Sequence, residues 1–407
     1  MTNPVTRLPV SQRSIEIARS MTDLARFQTD STWARRCTEP GISDFTFGNP
    51  HEMPLSSLVN ALQSWSTPLN KDWFAYKSSE QESREVATAG LRARTGVPFA
   101  PEDLAMTNGG IAALMIGIRT VIDPGDEVLY SQPAWFLYDA LIVDAGATPV
   151  RVDIDPATFD LDLAAIEAAI TPRTRVFVIN SPHNPTGKVV PSETLAKLAT
   201  ILEEASARNG RTIYLLSDEP YAKLVFGGGR APSPAEHYAE TLVAYSYGKQ
   251  HLAPGQRIGF LAVSPRSAAR EEIRRSAFVT QIATGWSFPN ALMQHALADL
   301  ESVSIDLHHL RRKRDRMTSA LRAIGYNVHV PDGTFYLFPK APIGDDRAFA
   351  ELLAKHDVFV MPGDFFGTPG YFRISLTASE EMIERSLPIF AAVYHEATAL
   401  ELSAAAG

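Results

Sequence analysis

The chain has 407 residues, of which 45% are hydrophobic and 21% charged, the balance of a soluble globular protein with room for a large domain and a smaller one. Its formal net charge of -8 argues against nucleic acid as a main partner, and its single cysteine, Cys37, excludes an intrachain disulfide and a cysteine-rich metal site. Met1–Arg7 lacks a leader-like apolar run and no apolar stretch of about 18 residues occurs, so a cytoplasmic protein with no membrane span is expected.

Residues 1–44 are mixed and polar, with a helical pattern over Ile15–Phe27, and read as an N-terminal arm. Phe45–Pro50 reads as a short strand and turn, Ser56–Trp65 as a helix, and Glu80–Thr95 as a helix stopped by Gly96. From residue 104 the rhythm is strand, turn, helix. Strands are predicted at Leu104–Thr107, Glu127–Tyr130, Thr148–Val152, Val176–Ile179, Ile213–Leu216, Leu242–Tyr245 and Ile258–Val263. Helices are predicted at Ile111–Ile122, Trp135–Asp144, Leu161–Ile170 and Thr194–Ala207. The uninterrupted apolar strands suit burial on both faces, and the alternation predicts a mainly parallel sheet flanked by helices, an α/β fold.

After residue 268 long helices follow, at Ala268–Ile282, at Asn290–Leu300 and through the basic cluster Arg311–Arg314, which reads as a solvated helix face. Short strands return at Val328, Phe335–Leu337, Val358–Val360 and Phe372–Ser375, with helices at Ala348–Lys355 and Glu380–His395 and a frayed tail at Glu401–Gly407. The expected division is an arm and part of the small domain over 1–44, a large domain starting near 45 and running to 300, and a small α+β domain over 301–407.

In an open α/β sheet, ligands bind beyond the carboxyl ends of the strands, and polar residues gather at those ends here. Lys249 follows the strand Leu242–Tyr245 in a glycine-rich polar loop, poorly placed to pack and well placed to reach a ligand. Lysine amines form Schiff bases with carbonyl compounds, pyridoxal phosphate among them. Asn108-Gly109-Gly110 feeds a helix N-terminus, a phosphate-binding arrangement. Ser246 and Arg257 flank Lys249 and add phosphate donors. Trp135 could stack on a planar heterocycle. The turn Asn184-Pro185-Thr186-Gly187 fixes the Asn184 amide at a strand end. Asp218, in Asp218-Glu219-Pro220-Tyr221, is costly to bury unpaired, and a protonated pyridine nitrogen would pair with it. Arg373, inside the apolar run Phe372–Ser375, needs an anion, either a neighbouring carboxylate or that of a substrate.

Asn184–Gly187, Asp218–Tyr221, the Ser246/Lys249/Arg257 set and Arg373 occur in the order and spacing of one known family. From about Phe45 to Tyr394 the chain resembles the class I/II aminotransferases, within the fold type I enzymes that use pyridoxal 5′-phosphate. The resemblance implies Lys249 as Schiff-base lysine and proton-transfer base, and Asp218 as partner of the ring nitrogen. It implies Asn184 and Tyr221 on the ring oxygen, Trp135 as the stacking ring, and Gly110, Ile111, Ala112, Ser246 and Arg257 as the phosphate cup. It further implies Tyr76 reaching the phosphate of a neighbouring subunit, hence a homodimer, and Gly48, Asn184 and Arg373 as substrate contacts. No metal is implied. The substrates would be an L-amino acid and a 2-oxo acid.

The sequence departs from the pattern at Gly248, often Ser in the family, and at Gln81, often Gly. Ile111 stands where some aspartate-specific members carry lysine, and no arginine lies between Val279 and Leu300. These departures weaken a dicarboxylic substrate. Two rival readings are elimination or replacement at the β- or γ-carbon on the same cofactor, and a ligand-sensing regulator. The latter lacks a basic DNA-binding module ahead of Phe45. Trp286, Phe288, Phe365 and Phe366 are aromatic candidates for pocket wall or core.

Overall fold

The computed structural model describes residues 10–406; the leaderless reading of Met1–Arg7 lies outside them. Seven strands form the main sheet: β1 (Leu104–Thr107), β2 (Glu127–Gln132), β3 (Thr148–Asp153), β4 (Thr174–Asn180), β5 (Tyr214–Asp218), β6 (Thr241–Ser246) and β7 (Gly259–Val263). Their order across the sheet is β1-β7-β6-β5-β4-β2-β3. Every pairing is parallel except that β7 runs against both neighbours. The fold is α/β.

Alternation along the strands explains the layering. In β4, Val176 and Val178 face the helix Gly110–Val121, while Phe177 and Ile179 face the helix Ser192–Asn209. All four are buried, so an apolar run without polar interruption is what this strand requires.

A second core lies around three short strands, in which Phe372–Ser375 pairs antiparallel with Met361–Pro362 on one side and Tyr336–Leu337 on the other. The helices Leu307–Ile324, Asp346–Lys355 and Glu380–Ala406 cover it. Ser43–Asp44 pairs parallel with Val358–Phe359, which brings an N-terminal segment into this C-terminal unit. The arm is the helix Gln12–Asp30, capped by Ser11, followed by Thr32–Arg36. It bridges the two units: Arg13 approaches Asp144 at 3.8 Å, and Asp23 approaches Arg347 at 3.2 Å.

Several expectations need correction. Val328 is buried but not in a strand: its carbonyl accepts from Arg322 Nε at 3.0 Å and Nη2 at 2.8 Å, side-chain bonds in place of a ladder partner. The helix expected over Asn290–Leu300 breaks at Ala296 into Ala291–His295 and Leu297–Leu300. The tail is not frayed over its length, since the last helix runs to Ala406. The Arg311–Arg314 face is not wholly solvated. Lys313 is buried, donating to Glu52 at 2.6 Å and to the Ala378 carbonyl at 2.8 Å, and Arg314 lies over the Phe226 ring. Among the described residues no helix is long and apolar enough to cross a membrane.

Candidate active site

A cavity of about 550 Å³ opens beyond the carboxyl ends of β1, β4, β5 and β6. Gly48, Gly110, Ile111, Trp135, Asn184, Asp218, Tyr221, Ser246, Lys249, Arg257 and Arg373 all line it. Two residues of the sequence-derived set do not. Ala112 is fully buried in its helix, where only its backbone N–H points toward the helix start. Tyr76 is 91% exposed and tilts against Phe288, away from the cavity of its own chain.

One end of the cavity is built for a phosphate. Gly109 has φ +82, a left-handed value that favours glycine, and turns the chain into the helix Gly110–Val121. The first backbone pairing inside this helix start is Ala113 N–H to Gly109 C=O at 3.3 Å, leaving the preceding N–H groups for a ligand. A Cβ at Gly109 would sit 2.7 Å from Arg257 Nη2, so the glycine is what lets that guanidinium close over the helix end. Arg257 donates to the Pro254 carbonyl at 2.8 Å, and burial lowers its pKa. It has no carboxylate partner among the described residues. Ser246, at the end of β6, is buried beside Gly110.

Asp218 ends β5 and is buried. Tyr138 donates to its Oδ2 at 2.7 Å, and Asn180 Nδ2 donates to its backbone carbonyl at 2.8 Å. Burial pushes the carboxyl up to about 7; Tyr138 pulls it down, Glu219 pushes it up and Lys249 pulls it down, all more weakly. A carboxylate held this way lacks a cation in hydrogen-bond contact. Lys249 lies in a helical turn, Tyr247–Gln250, and not in the open loop expected from its glycine neighbours. Its amine is 5.8 Å from the centre of the Phe335 ring and faces the cavity. Trp135 packs edge-on to Tyr138 at 5.7 Å.

At the other end, Arg373 is buried and has no carboxylate partner among the described residues. It donates to Asn184 Oδ1 at 3.0 Å and to the Thr46 carbonyl at 2.7 Å, while its Nε finds no acceptor. Its guanidinium lies 4.2 Å from the Tyr336 ring centre and 4.7 Å from that of Phe366. Burial lowers its pKa. Because Asn184 Oδ1 accepts from Arg373, the amide NH2 of Asn184 is left to point into the cavity. Tyr221 and Tyr336 meet hydroxyl to hydroxyl at 3.5 Å. Burial pushes the Tyr336 phenol up, but the charges of Arg373 and Lys249 and the Tyr221 contact outweigh it and bring it below its ordinary value. Gly48 is required here, since a Cβ on it would lie 2.6 Å from the Tyr336 hydroxyl.

Tyr138, Asn180, Tyr336, Trp33 and Phe136 belong to this site or support it, and the sequence reading missed them. Asn180 carried a signal, a polar residue ending an apolar strand; the aromatic residues carried none. None of Trp286, Phe288, Phe365 and Phe366 lines the cavity. Phe366 is core that supports Arg373, and Phe288 is partly exposed.

The family description "Aminotransferase class I and II" matches residues 41–388. An aspartate/prephenate aminotransferase of Thermus thermophilus is 34% identical over 334 residues, 79% of this chain and 83% of the relative. A probable aspartate aminotransferase of Methanocaldococcus jannaschii is 29% identical, covering 88% of this chain and 93% of the relative. Among solved structures, an amino transferase from Eubacterium rectale superposes with a TM-score of 0.87 at 30% identity, over 96% of this chain and 99% of that one. The Thermus thermophilus aspartate aminotransferase with maleate gives 0.80 at 28% identity, over 95% and 100% of the two chains. The fold, the match over most of the length and these relatives agree: the chain is an aminotransferase and belongs to the class I and II aminotransferase family.

Proposed function

We propose that this aminotransferase holds pyridoxal 5′-phosphate through a covalent link to Lys249 and moves an amino group between an L-amino acid and a 2-oxo acid. One observation carries the reading. A lysine amine, a buried carboxylate without a bonded cation, and a glycine-shaped cup under an unpaired arginine share one cavity. The cofactor, when bound, supplies an electron-withdrawing ring that makes a substrate Cα proton acidic.

The chain's own residues do the rest. Gly110, Ile111 and Ala112 offer backbone N–H groups, and Ser246 and Arg257 side-chain donors, to the phosphate. Asp218, oriented by Tyr138 and Asn180, gives its negative charge to a protonated ring nitrogen, and Trp135 packs against the ring. The amide of Asn184 and the hydroxyl of Tyr221 serve the ring oxygen. Arg373 clamps the substrate carboxylate through its free donors, and Gly48 leaves the space for it. The Lys249 amine, once freed by substrate, would take the Cα proton and pass a proton to the cofactor side of the substrate nitrogen instead of back to Cα. Tyr76, exposed in its own chain, serves the phosphate of a neighbouring copy, so the working form is a homodimer. The division at about residue 300 into a cofactor-binding and a smaller α+β domain is part of the same reading.

Borohydride reduction of the cofactor-loaded protein followed by peptide mapping tests the link: the added mass falls on Lys249, and Lys249→Ala loses both the mass and the turnover. Mass on another lysine overturns the assignment. Stoichiometric consumption of a 2-oxo acid separates transfer from elimination. The relatives named for aspartate make aspartate the first donor to try.

A further inference from the structure

We infer that the wall of the cavity beyond Arg373 is a subsite for a bulky uncharged side chain, aromatic above all, and that Trp33 and Phe47 determine this preference. The inference rests on the aminotransferase reading and adds the substrate class to it.

The cations lining the cavity are Lys249, Arg257 and Arg373, and the lining carboxylate is Asp218. The geometry gives Arg257 to the helix end and Arg373 to the first carboxylate of a substrate. Lys249 stands between them. A second carboxylate on the side chain would enter with no further cation of its own chain left to meet it, and burying it unpaired is unfavourable. Ile111 and Leu114, which also line the cavity, are apolar.

Trp33, Phe47 and Phe136 line the cavity together with the neutral amide of Gln28. Trp33 stacks on Phe27 with ring centres 5.6 Å apart and meets Phe47 edge-on at 5.0 Å. Its indole N–H donates to Asp44 Oδ2 at 2.9 Å, so the ring is pinned on three sides. Phe27 is held in turn by Phe365 at 5.3 Å. An aromatic surface fixed before ligand arrives favours a ligand ring by stacked or edge contacts and gives a carboxylate nothing.

The test has two arms on the cofactor-loaded protein. In the first, bound cofactor is followed spectroscopically as it is converted by L-phenylalanine, L-leucine, L-alanine, L-aspartate and L-glutamate. Phenylalanine is expected to exceed aspartate at least tenfold in kcat/KM. Aspartate or glutamate equal to or above phenylalanine overturns the subsite and leaves amino transfer standing. Conversion by none of the donors overturns both. In the second arm, the non-reacting acids 3-phenylpropanoate and succinate are titrated to equilibrium. The wild type is expected to favour phenylpropanoate, and Trp33→Ala or Phe47→Ala to lower that ratio about tenfold, the size of a lost aromatic pair. Trp33→Phe, which keeps a ring and the fold, should retain most of it. A ratio unmoved in Trp33→Ala and Phe47→Leu overturns the role of the wall.

Discussion

The Tyr138 hydroxyl donates to Asp218 Oδ2 at 2.7 Å, and it is the strongest influence holding down a carboxyl that burial drives up to about 7. In the cofactor-free chain the folded pKa lies above the ordinary 3.8, so between these values the folded state holds more protons than the unfolded one. The contribution of Asp218 to stability is therefore greatest at low pH and declines as pH rises toward 7, by at most about 4 kcal/mol. Melting curves of cofactor-free wild type and Asp218→Asn, compared from pH 5 to 8, should show the wild type losing ground as pH rises. A constant difference would contradict the buried, cation-free carboxylate. Tyr138→Phe should weaken cofactor binding about tenfold, the loss of one hydrogen bond to a charged group.

Arg373 illustrates a group that costs stability for the sake of binding. Among the described residues it is buried without a carboxylate partner and its Nε has no acceptor. Arg373→Met should lower kcat/KM for amino acids by about 100-fold or more, equivalent to roughly 3 kcal/mol of charged hydrogen bonding. The same variant should melt at or above the wild-type temperature, because the desolvation of the guanidinium disappears. Steady-state kinetics and calorimetry on one preparation read both effects.

Gly109→Ala places a methyl on Arg257 and forces an alanine to φ +82. About 1–2 kcal/mol of backbone strain is expected. Displacement of the guanidinium should also weaken the cofactor more than tenfold, read by equilibrium dialysis. Gly110→Ala, whose Cβ would lie 3.3 Å from Ser246 Cβ, should be milder.

Phe74, Tyr76, Phe278, Val279 and Phe288 are exposed apolar residues, and Tyr76 leans on Phe288. Sedimentation should give twice the 44.5 kDa chain mass. Phe278→Asp with Val279→Asp should give monomer and weaker cofactor binding, while Tyr76→Phe should keep the dimer and weaken the cofactor severalfold.

What could be read from sequence follows from what polarity and punctuation report. Asp218, Asn184 and Lys249 are polar residues where apolar strands stop, a contrast that needs no third dimension. Gly109 and Gly110 announce a tight entry into a helix. By contrast Tyr138 and Tyr336 are aromatic residues in aromatic or apolar surroundings, where nothing distinguishes a hydroxyl aimed at a carboxylate from one left in the core. Trp33 lies in a polar arm far from the other site residues, and its place depends on Ser43–Asp44 pairing with Val358–Phe359. Lys313 shows the reverse error. It sits among exposed arginines, yet Glu52 and the Ala378 carbonyl draw it inside.

Gln28 and Trp33 lie upstream of residue 41, where the family match begins, so the matched stretch does not contain the whole pocket. An expression clone cut to 41–388 would keep Lys249, Asp218 and Arg373 while stripping the indole from beside Phe47 and leaving Asp44 Oδ2 without its donor. Shuffling this opening segment among relatives offers a route to exchanging side-chain selectivity while every residue at the reacting centre stays as it is.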